Sequence, residues 1–179
     1  TRPAADKLAG RMAYITLDDD DHFHLYWQVD ERNLEDAGKL LLEDGSVINA
    51  NFLEAGGTGR IKFELADIDE DGVTDLLLGT PRHGSIPDPT HGLPQSLGLP
   101  GSAVLFMRNT GSDEQPTFAR PKLMHFKGKP IYFGQHSCAP TVARFGDNRG
   151  VNIIVGDEHG RMTFFSHQDV TWKTPQRPE

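Results

Sequence analysis

The chain has little of what several protein classes require. A single cysteine, Cys138, in 179 residues leaves no intrachain disulfide. A small buried residue and a nucleophilic thiol are the two roles open to it, and nothing around it supports the second. No apolar run approaches the roughly 18 residues of a membrane span, and Thr1-Arg2-Pro3 is not a secretory signal. The chain does not start with Met, which points to removal of something upstream. Basic residues are outnumbered, 18 Lys and Arg against 26 Asp and Glu for a formal charge of −8; without a basic face this argues against nucleic-acid binding. No His or Cys spacing resembles a zinc motif. Helical flavour is confined to Glu31–Lys39, a segment short enough to read as a loop.

What is present is an all-β pattern. Nineteen glycines and twelve prolines punctuate short β-branched and aromatic runs. Strands are expected at Met12–Leu17, Phe23–Val29, Lys39–Leu42, Ile61–Ala66, Thr74–Gly79, Ala103–Arg108, Pro121–Phe126, Thr141–Phe145, Val151–Val155 and Arg161–Phe165.

The densest chemistry lies at Asp67-Ile68-Asp69-Glu70-Asp71-Gly72-Val73-Thr74-Asp75. Asp67, Asp69, Asp71 and Asp75, with the carbonyl of Val73, offer a set of oxygen donors suited to Ca²⁺, which takes six to eight of them. Gly72 permits the turn. An EF-hand starts with the same spacing, but its twelfth loop position needs a bidentate Glu and here is Leu78. Flanking helices are missing too; the loop runs instead into the buried-strand pattern Leu76-Leu77-Leu78-Gly79. The alternative is a solvated acidic turn without metal.

The pattern Asp-x-Asp-x-Asp-Gly-x-x-Asp-Leu-Leu-x-Gly, within Phe63–Gly79, resembles the calcium loop of FG-GAP (VCBS, integrin-like) repeats, which form β-propeller blades. A weaker copy runs from Arg144 to Gly156, where only Asp147, Asn148 and Asn152 remain as side-chain oxygens. Internal similarity accompanies it. Lys39–Ile48 matches Lys122–Ile131 at an offset of 83, Leu25-Tyr26-Trp27 sits where Leu105-Phe106-Met107 does at 80, and Gly10–Ile15 matches Gly160–Phe165 at 150. The resemblance implies blades of four antiparallel strands and about 80 residues, in units of approximately 11–58, 59–126 and 141–172 within one domain spanning 1–179. Two to three blades do not close a ring of four to eight. The expectation is therefore a part of a larger, seven-bladed propeller whose remaining blades come from the same precursor or another chain.

Antiparallel strands reverse direction each time, so successive loops alternate between faces. The face opposite the calcium loop collects Asp18–Asp21 with His22, the 45–59 loop, the long Thr80–Gly101 insertion, the Gly128–Ala139 connection and Asp157–Gly160. Five of the eight histidines fall there: His22, His83, His91, His136 and His159. The insertion far exceeds a hairpin's two to five residues, and loops of that length are functional or disordered. Its Arg and His suit an anionic ligand. Asp18–Asp21 reads as a solvated turn, and His22 and His24 as polar positions of an alternating strand.

Gly59-Arg60-x-Lys62-Phe63, Leu78-Gly79-Thr80-Pro81-Arg82, Arg108-Asn109-Thr110-Gly111 with Pro116-x-Phe118, and His136-Ser137-Cys138-Ala139-Pro140 bring the chain closer to carbohydrate-active propellers. These are similar to rhamnose-glucuronate lyases and the related α-L-rhamnosidases, over roughly residues 38–166. The resemblance implies a secreted or periplasmic polysaccharide lyase with structural Ca²⁺, acting on a polysaccharide or oligosaccharide by β-elimination beside a uronate. Arg82 would bind the carboxylate, His83 or His136 would act as base, and Tyr132 or His159 as acid; a rim histidine that only hydrogen-bonds the ligand is an equal reading at each position. The other classes left open are a glycoside hydrolase of the rhamnosidase type and a non-catalytic adhesion or glycan-binding propeller.

Overall fold

The computed structural model describes residues 3–50, 61–81, 101–133, 136–145 and 150–172. These residues form an all-β structure with no α-helix among them and one 3₁₀ turn, His167–Asp169. β1 (Ala4–Leu8), β2 (Arg11–Leu17), β3 (Phe23–Gln28) and β4 (Leu34–Lys39) make an antiparallel meander in that order. The period of two holds through its centre: Ala13, Ile15, Phe23, Leu25 and Trp27 are buried while Tyr14, His24 and Tyr26 between them are half-exposed. Its outer strands were not visible in the sequence. β1 buries only Ala4 and Leu8 around exposed Ala5-Asp6-Lys7. The segment read as a loop is β4, which is nearly all exposed and pairs with β3 across a bulge at Leu25/Tyr26. An edge strand without a buried face carries no apolar alternation to detect.

After β5 (Leu41–Leu42) comes a second meander of β6 (Lys62–Ala66), β7 (Asp75–Gly79) and β8 (Ser102–Met107). β9 (Thr117–Phe118) pairs in parallel with β5, and β10 (Lys122–Leu123) completes the second sheet against β8. The expected fourth strand, Pro121–Phe126, is thus divided. Its second half, β11 (His125–Phe126), leaves to pair with β12 (Lys129–Pro130), and β13 (Tyr132–Phe133) returns to β8. A third meander has β14 (Cys138–Ala143), β15 (Asn152–Asp157) and β16 (Met162–Phe165), and β17 (Val170–Thr171) then closes on β11.

The second sheet is the middle layer. Leu65, Leu76, Leu78, Leu105 and Met107 point into a core shared with Ile15, Leu25 and Trp27 of the first sheet. Leu77, Val104 and Phe106 point the other way, into a core shared with Ile153 and Val155 of the third. A strand covered on both faces reads as a continuous apolar run, which is what Leu76-Leu77-Leu78 is. Each such side chain contributes about 1.5–3 kcal/mol relative to exposure.

Of the three sequence matches, the one at 83 lies in a repeated hairpin. In the first sheet Leu40 N–H donates to Phe23 O (2.8 Å) and Phe23 N–H to Ile48 O (3.0 Å). In the second, Met124 N–H donates to Val104 O (2.9 Å) and Val104 N–H to Ile131 O (3.1 Å). Both hairpins between these contacts turn on a left-handed glycine, Gly45 and Gly128. The offset of 150 is different. Gly10 turns between a first and a second strand, Gly160 between a second and a third, so that match reflects hairpin-turn chemistry and not equivalent positions.

Candidate functional site

Between β6 and β7 the chain wraps its acidic side chains around a point. Asp67 accepts the N–H of Asp71 on Oδ1 and of Gly72 on Oδ2, each at 3.0 Å, and Asp71 Oδ1 accepts that of Val73 at 2.9 Å. Glu70 and Gly72 take positive φ to make this possible, 60° and 90°. The result brings carboxylate oxygens of Asp67, Asp69 and Asp71 within 4.8 Å of one another.

Asp75, expected as the fourth carboxylate, is fully buried at the start of β7. Its Oδ2 accepts the N–H of Ile68 (3.0 Å) and its Oδ1 that of Asn109 (2.8 Å). Burial pushes its carboxyl up to about 6, against the backbone N–H groups that favour the charged form. Asp75 therefore ties the loop to the residue just beyond β8. The third sheet repeats the device with Asn152, whose Oδ1 accepts the N–H of His167 just beyond β16 at 3.1 Å. The rest of the weaker loop, residues 146–149, lies outside the described residues.

Positive charge already enters the cluster from β8. Arg108 Nε lies 2.8 Å from Asp69 Oδ2, and its Nη2 donates to Asp71 Oδ2 at 2.6 Å. Asp71 is held below the usual carboxylate range by that guanidinium. Asp69 is pushed above it, first by burial and next by the neighbouring Asp71. Asp69 Oδ1 is buried with no hydrogen-bond partner among the described residues. An orphaned anionic oxygen at the centre of a hard-oxygen set fits a Ca²⁺ ligand, and carboxylate and carbonyl donors are those the ion prefers. Arg108 and Asp113, whose Oδ1 accepts Thr74 N–H at 2.8 Å, were not read as parts of this site. The available signal was parity, since the 108–121 loop leaves β8 on the face that carries the calcium loop.

The opposite rim is only partly described. Arg82, His83 and His91 lie outside the described residues. Tyr132 sits on β13 opposite Ala103 and packs on the first core. His136 is exposed, next to Ser137, which bridges Pro81. His159 is exposed in the β15–β16 turn, its N–H donating to Asp157 Oδ1 at 2.9 Å. Cys138 is buried, its Sγ 3.4 Å from Ala103 O, and burial pushes the thiol up to about 11; it is a packing residue, not a nucleophile.

His22 and His24 belong to a charged cluster on the first sheet. Asp18 Oδ1 accepts the N–H groups of Asp20 and His22 (2.9 and 2.8 Å), Lys39 Nζ is 3.4 Å from its Oδ2, and His24 Nε2 is 2.6 Å from Asp36 Oδ1. Burial alone would raise the Asp18 pKa, but the two N–H groups and Lys39 outweigh it and hold the carboxyl at about 2. A carboxyl depressed on folding stabilises above its ordinary pKa, and that stability is lost as pH falls through the folded value. Asp18→Asn is expected to cost of order 1 kcal/mol at pH 6, with the gap closing between about pH 4 and 2. Urea midpoints across that range check it; a gap independent of pH contradicts the assignment.

Compared with known protein families, curated proteins and solved structures, the chain matches none.

Proposed function

We propose that this chain is a calcium-stabilised part of a carbohydrate-active β-propeller. The observation that carries the reading is the Asp67–Asp71 loop, with three convergent carboxylates, an oxygen on Asp69 that is buried and unpaired among the described residues, and a buried Asp75 clamping the loop to β8. Asp67, Asp69 and Asp71 would hold the ion, with the Val73 carbonyl as a further oxygen, while Asp75, whose two oxygens accept the N–H groups of Ile68 and Asn109, holds the loop in place. The ion's role is structural: it neutralises charge where β7 begins, in the middle of three layers. Three successive antiparallel meanders, with β7 and β8 covered on both faces, support a blade stack. The third sheet leaves Phe145, Met162 and Phe164 exposed by 53%, 82% and 51%, the kind of surface that a following blade would cover.

Within that reading the reaction is β-elimination at a uronate, and the groups to examine are His136, His159 and Tyr132 together with Arg82 and His83. Incubation with a glucuronate-bearing polysaccharide should generate the ultraviolet absorbance of an unsaturated sugar. His83→Ala and His136→Ala should each lower the rate. Full activity in both variants removes these histidines from the chemistry, and glycan binding without product assigns the chain to the non-catalytic class.

A further inference from the structure

The loops on the calcium side of β8 and β10 form a cavity of about 310 Å³ that no described rim residue lines. Its position follows from strand parity. Lys122 pairs directly with Phe106 across β10 and β8, so the two share a face; Arg108, two residues beyond Phe106, continues that face past the strand end. Phe106 is buried, and Trp172 packs on it at 4.8 Å, bringing a half-buried indole over the same surface. Arg120 and Thr110 come from the loop after β8, and Glu43 from the hairpin of the first sheet. Three cations and one carboxylate thus line a pocket in a chain whose formal charge is −8.

The cations are held at different strengths. Arg108 is fixed by Asp69 and Asp71, and Arg120 by Asp44 Oδ2 at 2.7 Å, carboxylates that are not in the cavity wall. Lys122 is exposed and makes no ion pair among the described residues. Guanidinium groups anchored this way keep donors for a second carboxylate in fixed directions, and Lys122 adds a mobile charge. Glu43 and the Thr110 hydroxyl supply acceptors, which an anion alone has no use for and a hydroxylated ring does. The Trp172 ring offers an apolar face edged by polar groups.

We infer that this cavity is a binding subsite for a single carboxylate-bearing sugar ring: carboxylate toward Arg108, Arg120 and Lys122, hydroxyls toward Glu43 and Thr110, one ring face on Trp172. A phosphate dianion would meet Glu43 as a repulsive neighbour, whereas a sugar hydroxyl donates to it. The subsite stands or falls separately from any lyase chemistry on the opposite rim.

The experiment is titration of the full chain with D-glucuronate, D-glucose and acetate, followed by tryptophan fluorescence and calorimetry. Glucuronate should bind, with glucose and acetate each at least roughly tenfold weaker, the scale of one charge-assisted hydrogen bond. Lys122→Gln, on an exposed side chain, should keep the unfolding midpoint, weaken glucuronate about tenfold and leave glucose unchanged. Trp172→Ala should weaken both sugars. Equal affinity for glucuronate and glucose, acetate as strong as glucuronate, or full glucuronate affinity in Lys122→Gln each overturn the inference. Glucuronate binding without an unsaturated product would leave this subsite in place and remove the lyase reading; product formation with unaltered binding in Lys122→Gln would do the reverse.

Discussion

Millimolar Ca²⁺ is expected to raise the thermal unfolding midpoint by roughly 5–15 °C, and EGTA to reverse it. A ligand that binds only the folded state at a hundred to a thousand times its Kd adds about 2.7–4.1 kcal/mol, and each kcal/mol moves the midpoint of a chain this size by about 2–4 °C. The charge arrangement supports an effect of that size. Without the ion, Asp67, Asp69 and Asp71 share one small volume, Asp69 Oδ1 has no donor among the described residues, and among those residues Arg108 is the cation paired with their carboxylates. An ion in the cage supplies the missing positive charge and takes up the orphaned oxygen. Mg²⁺, which demands octahedral geometry at about 2.0–2.1 Å, should give a smaller shift. In Asp69→Asn the calcium response should vanish. A midpoint indifferent to both Ca²⁺ and EGTA would mean that Arg108 alone satisfies the cluster and that the loop is an acidic turn. Because Asp75 passes the loop's position to Asn109, chelation should also loosen the 108–121 loop; glucuronate affinity should therefore fall only secondarily.

How much of this was legible in the sequence depends on which force set each residue's position. The Asp67–Asp75 spacing and the apolar run after it are dictated locally, by turn geometry and burial: Asp67, Asp69 and Asp71 converge, and Leu76–Gly79 lies in a buried strand. The 83-residue similarity was legible for the same reason: the hairpins Leu40–Ile48 and Met124–Ile131 make the same backbone contacts to the strand they pack on, in step at Gly45/Gly128 and Ile48/Ile131 and one residue apart at Leu40/Met124. β1 and β4 were not, because β4 is exposed along nearly its whole length and β1 buries only its end residues Ala4 and Leu8, so neither shows an apolar alternation. Arg108 and Asp113 were missed as site residues because they reach the acidic loop across more than 35 positions of sequence, through the return of β8, which no local pattern announces. Asp75 looked like one more ligand in a row. Its burial distinguishes it, and burial at the first residue of a strand is set by the sheets on either side of it.

Gly79 was read as the residue that ends an apolar run, yet its larger role is spatial, and Gly79→Ala is expected to be among the most damaging single substitutions in the chain. A Cβ at that position would lie 2.2 Å from Cys138 O and 2.5 Å from Pro140 Cδ. The obstructing atoms are the backbone carbonyl and the ring of β14, so no rotamer change relieves the contact; the second and third sheets must move apart. That movement would separate Leu77, Val104 and Phe106 from Ile153 and Val155, and lengthen the bonds from Thr141 Oγ1 and Val142 N–H to Glu64 Oε1, now 2.6 and 3.1 Å. Overpacking ordinarily costs about 1–3 kcal/mol, occasionally more, and rigid backbone places this case at about 3 or above. The midpoint should then fall by roughly 6–12 °C or further, a large share of a total stability of about 5–15 kcal/mol. Gly156→Ala is the control, on β15 of the third sheet, where the added Cβ meets, among the described residues, only Ala139 O at 3.9 Å; it should stay within about 0.5 kcal/mol of the parent. If the two variants melt together, the second and third sheets do not pack through Gly79. If only Gly79→Ala falls and its calcium response survives, the loop at Asp67 and the sheet interface are independent supports of the same middle layer.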